Sequence, residues 1–487
     1  MSATVASPPA ASESPADPLA ARRWLILALV CCAQFLAAVD DTIVNTALPS
    51  IGAELGFGER SLSWVVNAYL LGFGGFLLLG GRAADVLGRA RVFRTGVGLF
   101  TAFSVLAGVA ASAELLIGAR GLQGLGAALL SPAALAIVVT TFPAGRERTT
   151  ALGVWAALLG LGAATGLVAG GALTETAGWR WVFFINVPIG VAVLVASLRV
   201  LPADPPRARR ARLDAPGAVL ATAGLLAIVF SVVEAPDAGW GSARTLAGLA
   251  LGGALLAAFA RHEGRAPAPL VPPAVVSRRA VAVANGVTLL AAAGLYAMFF
   301  FMTLFMQVVL GWSPLRAGLS GLGFSIVFLL VSGMATRLVE RVPARALIAA
   351  GSGVAAIGLL LWTRTDPQSG YVDTILPAMA VAAIGMGLAF VPLTAAATSA
   401  ATGPDAGIVS GLLSTSQQIG GAIGVAVLVT IASAETASLA AAGTPQMQAI
   451  SDGFHVAFRI DAAVLLAAAL LAPLLGRVRV TGPPLPA

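Results

Sequence analysis

The sequence predicts an all-α polytopic membrane protein, with fourteen transmembrane helices arranged as two pseudo-symmetric six-helix bundles plus two extra linking spans. Three observations lead there. Hydrophobic residues make up 58% of the 487 and charged residues only 10%, with a mean hydropathy of +0.92. A soluble domain carries about 25% charged residues, so this chain needs lipid around it. The apolar residues are gathered into runs of about 20, the length that crosses a bilayer. The arginines fall on alternate sides of those runs, as they do in inserted proteins.

The runs lie near 24–47, 62–81, 92–111, 114–139, 150–173, 180–201, 215–234, 243–260, 281–309, 316–338, 346–363, 374–399, 407–432 and 456–476. Residues 1–21, rich in Ala, Ser and Pro, read as a disordered cytoplasmic tail, and residues 477–487 as a second cytoplasmic tail. The expected units are a first bundle over 22–201, two linking spans with their cytoplasmic loops over 202–280, and a second bundle over 281–476. With both termini inside, 22 arginines fall on the cytoplasmic side and six outside, and Arg120 alone lies within a span. The expected location is the inner (cytoplasmic) membrane. That placement also accounts for the net charge of +7 without a nucleic-acid partner. The longest expected connection covers about 433–455, and no phosphate-binding G-x-x-x-x-G-K-[ST] loop is present. Cys31 and Cys32 are adjacent in an apolar run, without disulfide or metal spacing. His262 and His455 lie in or beside loops. No metal site or cofactor is expected.

An internal repeat is visible. Gly162, Gly166 and Gly170 form a ladder at four-residue spacing in the fifth run, with Gly171 beside it, and Gly420 and Gly421 lie in the thirteenth. Such spacing puts glycines on one helix face and lets a neighbouring backbone approach. With runs seven and eight set aside, the glycine-rich helix is fifth in each half. The ladder is expected to meet the opposite half, and plain helix packing is the alternative.

The loop after the second run, with Gly81, Asp85, Gly88, Arg89 and Arg91, resembles the signature between helices 2 and 3 of the major facilitator superfamily. Asp40-Asp41-Thr42-Ile43-Val44-Asn45-Thr46-Ala47-Leu48-Pro49 is similar to the first-helix signature of that superfamily's fourteen-span drug/proton antiporters. The stretch Gly178–Gly190, and Arg120, Gln123, Gly124 and Gly126, resemble further features of this branch, as do Gln307 with Gly311 and Gln417 with Gln418. Leu167 stands where the branch's span 5 motif has proline. The resemblance implies proton-coupled export of hydrophobic or cationic drugs across the cytoplasmic membrane by alternating access, in a monomer. It also implies that the 81–91 loop switches between conformations.

Ionisable groups inside a bilayer are costly, which makes each a functional candidate. Asp40, Asp41 and Arg120 are the proton-coupling candidates. A carboxylate that is protonated in one conformation and ionised in another couples a proton gradient to transport. The bland readings are two outer-headgroup carboxylates and a helix-to-helix tether. The resemblance favours Asp40 over Asp41 as the carrier, and Gln34, Ala37 and Val44 at helical spacing give it a mostly apolar surround. Asp461 and Glu114 read as interfacial, and Asp214 as a helix cap with Gly217. The substrate cavity is expected near the midplane, lined by Trp64, Asn67, Tyr69, Gln123, Tyr296, Phe299, Phe300 and Gln307. A dedicated exporter or symporter for one metabolite is the alternative. A polytopic membrane enzyme is remote, because the chain offers no histidine or carboxylate cluster for catalysis.

Overall fold

The computed structural model describes residues 22–143, 145–202, 204, 214–267, 269–399 and 406–475. The two tails and most of the linker before the seventh run lie outside them. Fourteen long helices follow in order among the described residues. The first half contains α1 (Arg23–Leu55), α2 (Glu59–Leu87), α3 (Arg89–Gly108), α4 (Ala113–Thr141), α5 (Arg146–Thr176) and α6 (Trp181–Val200, interrupted at Ile185). A linking pair follows, α7 (Ala215–Ala238) and α8 (Ala243–Glu263). The second half has α9 (Arg279–Leu304, continued by a π turn, Phe305–Val309), α10 (Pro314–Leu338) and α11 (Ala344–Trp362). It ends with α12 (Leu376–Ser399), α13 (Ala406–Ala441) and α14 (Gln446–Leu471). Thirteen of the fourteen carry a described stretch long and apolar enough to cross a bilayer, and the other, α5, is 31 residues long.

Several helices outrun the apolar stretches that betray them. The apolar run near 24–47 is only part of α1, which continues through Pro49 to a left-handed Gly56. The expected connection over 433–455 is mostly helix, because α13 extends to Ala441 and α14 starts at Gln446. Hydropathy marks the lipid-facing length of a helix, and hydrogen bonding continues past it. Ser112, Asp214, Ser242 and Ser313 start their helices in the usual way, each side chain accepting from a backbone N–H of the first turn. For Asp214 the donor is Gly217, at 3.0 Å.

The packing repeats between halves. Within the first, α1 lies on α5 and α6, α4 on α2 and α3, and α3 on α6. The second reproduces each pair eight helices later: α9 on α13 and α14, α12 on α10 and α11, α11 on α14. Small residues set the close crossings. Gly96 and Gly126 bring α3 and α4 together, and Gly351, Gly358 and Gly385 do so for α11 and α12. Two seams join the halves, α5 with α10 and α2 with α13. The linking pair packs over the second seam, with α7 against α2 and α13.

Both α1 and α14 have one end at the face that carries Arg82, Arg89, Arg91 and Arg94, here called the arginine-rich face; the other is the far face.

Candidate functional site

Asp40 lies inside the first half and is fully buried. Donors from α4 and α6 converge on it. Arg120 of α4 donates from Nη1 to Asp40 Oδ2 at 2.6 Å. Gln123, one turn on, donates from Nε2 to Oδ1 at 2.8 Å. Asn186 of α6 donates from Nδ2 to the same oxygen at 2.7 Å. Arg120 is itself held by the Val65 carbonyl at 3.0 Å and by Gln123 Oε1 at 2.8 Å, with its guanidinium 4.3 Å from the centre of the Tyr69 ring. Ser104 accepts from Asn186 Nδ2 at 3.0 Å and donates its hydroxyl to the Phe183 carbonyl. The arrangement satisfies a buried ion pair on nearly every side, which is the condition for tolerating one.

The surround of Asp40 is therefore polar, where the sequence suggested an apolar one. Helical spacing reports the face of α1 and not what α4 and α6 place opposite it. Asn186 and Ser104 were missed as site residues; the one available signal was a polar side chain in an otherwise apolar run.

Asp41 points elsewhere, toward the boundary between halves. Its Oδ2 is 2.7 Å from the hydroxyl of Tyr296 on α9. The same hydroxyl is 2.8 Å from Gln418 Oε1 on α13. Asp41 Oδ1 is buried with no partner. A tyrosine has one hydroxyl proton. The second bond therefore needs another proton, supplied either by a neutral Asp41 or by the Gln418 amide turned round. Gln418, in the stretch noticed for its resemblance, completes this triad and escaped the list of candidates.

The remaining expected cavity residues scatter. Gln307 donates to the Thr46 carbonyl at 3.0 Å, another link between halves. Trp64 turns to Phe230 of the linking pair. Asn67 is fully buried, and neither amide atom has a partner. Phe299 packs edge-on against Phe324, and Phe300 is in the second half's core beside Phe301. An apolar pocket in that half is lined by other residues, among them Thr288, Leu295, Phe328, Met386, Phe390 and Gln417.

The glycine ladder faces its own half. A Cβ on Gly162, Gly166 or Gly170 would strike Ala38, Thr42 or Ile43 and Thr46 of α1. Gly420 and Gly421 likewise admit Leu289 and Tyr296 of α9. Gly171, one residue off the ladder, meets Pro314 and Leu315 of α10 in the opposite half. Four-residue spacing defines a face and leaves the partner helix open, which is why the expected inter-half contact of Gly166 is corrected here. Leu167 is at the crossing; Gly318 of α10 rests on its carbonyl.

In the 81–91 loop, Gly88 takes a φ of 103°, a conformation open to glycine. Asp85 and Arg89 are 3.9 Å apart and partly exposed. Arg91 Nη1 donates to the Leu87 carbonyl at 3.1 Å, and Gly81 faces Pro132 of α4. The cap on α3 comes from Asp204, whose two carboxylate oxygens accept from the backbone N–H groups of Ala90 and Arg91, each at 2.9 Å. Nothing in the linker sequence singled Asp204 out. Asp461, read as interfacial, is instead 1% exposed in the middle of α14, beside Gly294 of α9, with neither oxygen partnered. Position along an apolar run does not say which side chains a neighbouring helix covers. Glu114 is exposed in the first turn of α4, as expected.

Comparison with known proteins gives this geometry its family. The model of the Major Facilitator Superfamily matches residues 30–425. The chain is 41% identical to the puromycin resistance protein of Streptomyces alboniger, covering 95% of this chain and 92% of that protein. It is 42% identical to the cephamycin export protein of Amycolatopsis lactamdurans, over 94% and 93% of the two chains. Among solved structures, the fold is similar to a bacterial homologue of the human lysosomal transporter Spinster in an inward-facing, occupied conformation. That match has a TM-score of 0.69 at 18% identity and covers 94% of this chain and 97% of the other. The chain is thus a membrane transporter of the Major Facilitator Superfamily.

Proposed function

We propose that the protein exports hydrophobic or cationic antibiotics from the cytoplasm by alternating access, driven by inward proton flow. It works as a monomer in the cytoplasmic membrane, with the arginine-rich face and both termini inside. Support comes from the family, the named relatives, the arginine distribution and, above all, the Asp41–Tyr296–Gln418 triad across the boundary between halves.

In this reading Asp40 and Arg120 form a standing ion pair that holds α1, α4 and α6 as one body. Protonating Asp40 strands the Arg120 charge in the membrane interior. Asp41 has no cation in contact, so as a carboxylate it is an unpaired intramembrane charge, which costs about 2.5–3.5 kcal/mol on insertion scales. As a neutral acid it donates to the Tyr296 oxygen, and the tyrosine hydroxyl donates in turn to Gln418 Oε1. When the halves rock apart the triad opens and water reaches Asp41, which then ionises. A cationic drug entering beside Tyr296 competes with that proton, so the two are not carried together in the same direction. Asn67, Phe299 and Gln307 are proposed for the walls of the path, and the 81–91 loop for the switch between states.

The test uses inverted vesicles from a pump-deficient bacterium that expresses the protein. With an interior-acid gradient, puromycin or a cephamycin accumulates in the vesicles and dissipates the gradient. Accumulation that persists after a protonophore collapses the gradient contradicts proton coupling. Absence of any uptake across a wide antibiotic panel contradicts export.

A further inference from the structure

The two seams differ at the far face. The α5–α10 seam is shut there: Gly171 meets the Pro314 carbonyl, and Glu175 accepts from the Leu315 N–H at 3.0 Å. The α2–α13 seam instead opens into a recess of about 710 Å³. Its walls are Ser61 of α2, Ser433 and Thr436 of α13, and Gln446 and Ile450 of α14, with Glu234 of α7 closing the side next to the linking pair.

The lining is hydroxyl-rich and its bonding is incomplete. Ser433 is 8% exposed. Thr436 Oγ1 is buried without a partner. Buried polar groups normally have one, so the Thr436 hydroxyl has a bond left for water or a ligand. Glu234 is the one carboxylate in the lining. Its partner Arg244 stands at 3.4 Å with 67% of its side chain exposed, so the pair is loose and readily exchanged. Val233 and Ile450 add apolar surface. Along α13 the recess lies about 22 Å from Gln418, at 1.5 Å per residue, and Gln418 borders the same seam beside Gly74 of α2.

We propose that this recess is a second ligand site, an exit station that takes a protonated amine bearing hydroxyl groups. Glu234 holds the ammonium, and Ser433 and Thr436 take the hydroxyls. The proposal rests on the export reading, with the far face outside. It gives the linking pair a task, since α7 supplies the charge that neither half offers at this point.

The experiment places a cysteine on the recess wall, Ala440→Cys, in a Cys31→Ala, Cys32→Ala background, with Thr444→Cys as a second position should the first fold poorly. Intact cells are labelled with a membrane-impermeant maleimide at pH 6, with and without puromycin, a hydroxylated amine that is protonated there. Puromycin is expected to slow labelling several-fold, its uncharged N-acetyl form to leave the rate unchanged, and Glu234→Gln to remove the protection. Labelling unaffected by puromycin, or slowed equally by the N-acetyl form, overturns the proposal. A second arm uses phosphatidylcholine proteoliposomes with and without phosphatidylethanolamine. If the lipid alone protects the cysteine and puromycin adds nothing, the recess is a headgroup groove and the proposal is overturned. Export is scored in the same cells. Protection without export supports the site and counts against the export reading; export without protection does the reverse.

Discussion

Asp40 and Asp41 are adjacent on α1, yet they belong to different kinds of site. Asp40 is enclosed by one half of the protein, with an arginine and two amides aimed at its oxygens. Asp41 reaches across to the other half, where it meets a single hydroxyl. A helix turns about 100° per residue, so neighbours on one strand of chain are delivered to opposite environments. The closed site is costly to disturb and has nothing to gain from losing its charge. The open one is incomplete in this conformation, with Asp41 Oδ1 left without a partner. Pseudo-symmetry of the backbone does not extend to this chemistry. The second half's interior is built of Phe301, Phe305, Trp362 and Phe458, with Asp461 as an isolated acid.

The contrast makes graded predictions. The largest effect is on the closed site. Arg120→Met leaves a buried carboxylate without its cation and is expected to cost about 3–5 kcal/mol, read as a loss of thermal stability in detergent. Arg120→Lys does not rescue it, because an ammonium cannot span Asp40, Gln123 and the Val65 carbonyl together. The double variant Arg120→Met, Asp40→Asn recovers part of the loss. If Arg120→Met melts like wild type, the clamp has no structural weight and the contrast fails.

Tyr296→Phe acts on the open site. It removes one hydroxyl and is expected to lower stability by no more than about 1 kcal/mol, while proton-driven drug uptake falls roughly tenfold, the cost of about 1.4 kcal/mol in coupling. A variant that folds normally and transports at full rate would remove the triad from the mechanism.

Leu167→Pro probes the seam between the two kinds of site. Proline there removes the N–H that α-helical geometry directs to the Ala163 carbonyl. That carbonyl also accepts from Thr42 Oγ1 at 3.1 Å, so it stays satisfied. The expected cost is about 1 kcal/mol, well under the ~3 of an unsupported interior proline, and transport persists. The combination with Thr42→Val should be far worse than the sum of the parts; additive losses would show that the Thr42 bond plays no such role.

The smallest effects belong to the loop. Asp204→Ala removes the α3 cap and is expected to cost about 1 kcal/mol. Asp85→Asn, at an exposed pair, costs less than that in stability. Its consequence should appear in transport alone, as the switch reading requires. Unchanged transport in Asp85→Asn leaves the loop as a turn whose working acid is Asp204.

The sequence made the membrane fold legible because lipid imposes length and charge rules with few exceptions. It also marked Asp40, Asp41 and Arg120 as candidates, because ionisable groups inside a span are few and costly. It could not show which helix each face meets. Gln123 was placed on the cavity and is instead on Asp40. Gly166 was aimed at the other half and rests on α1. Asp461 was set at the interface and is in the core. Each of these errors concerns a neighbour in space, and periodicity along one helix holds no information about that. The surroundings of the two aspartates were told apart only when Tyr296, far away in sequence, came beside Asp41.

The most direct test is proton release on adding drug to purified protein in weakly buffered detergent solution, followed with a pH indicator. Wild type is expected to release a proton as the drug enters, Asp41→Asn to bind the drug and release none, and a folded Asp40→Asn, Arg120→Gln variant to retain the release. Release that survives in Asp41→Asn and vanishes in the Asp40 variant would contradict the assignment and move the proton to the closed site.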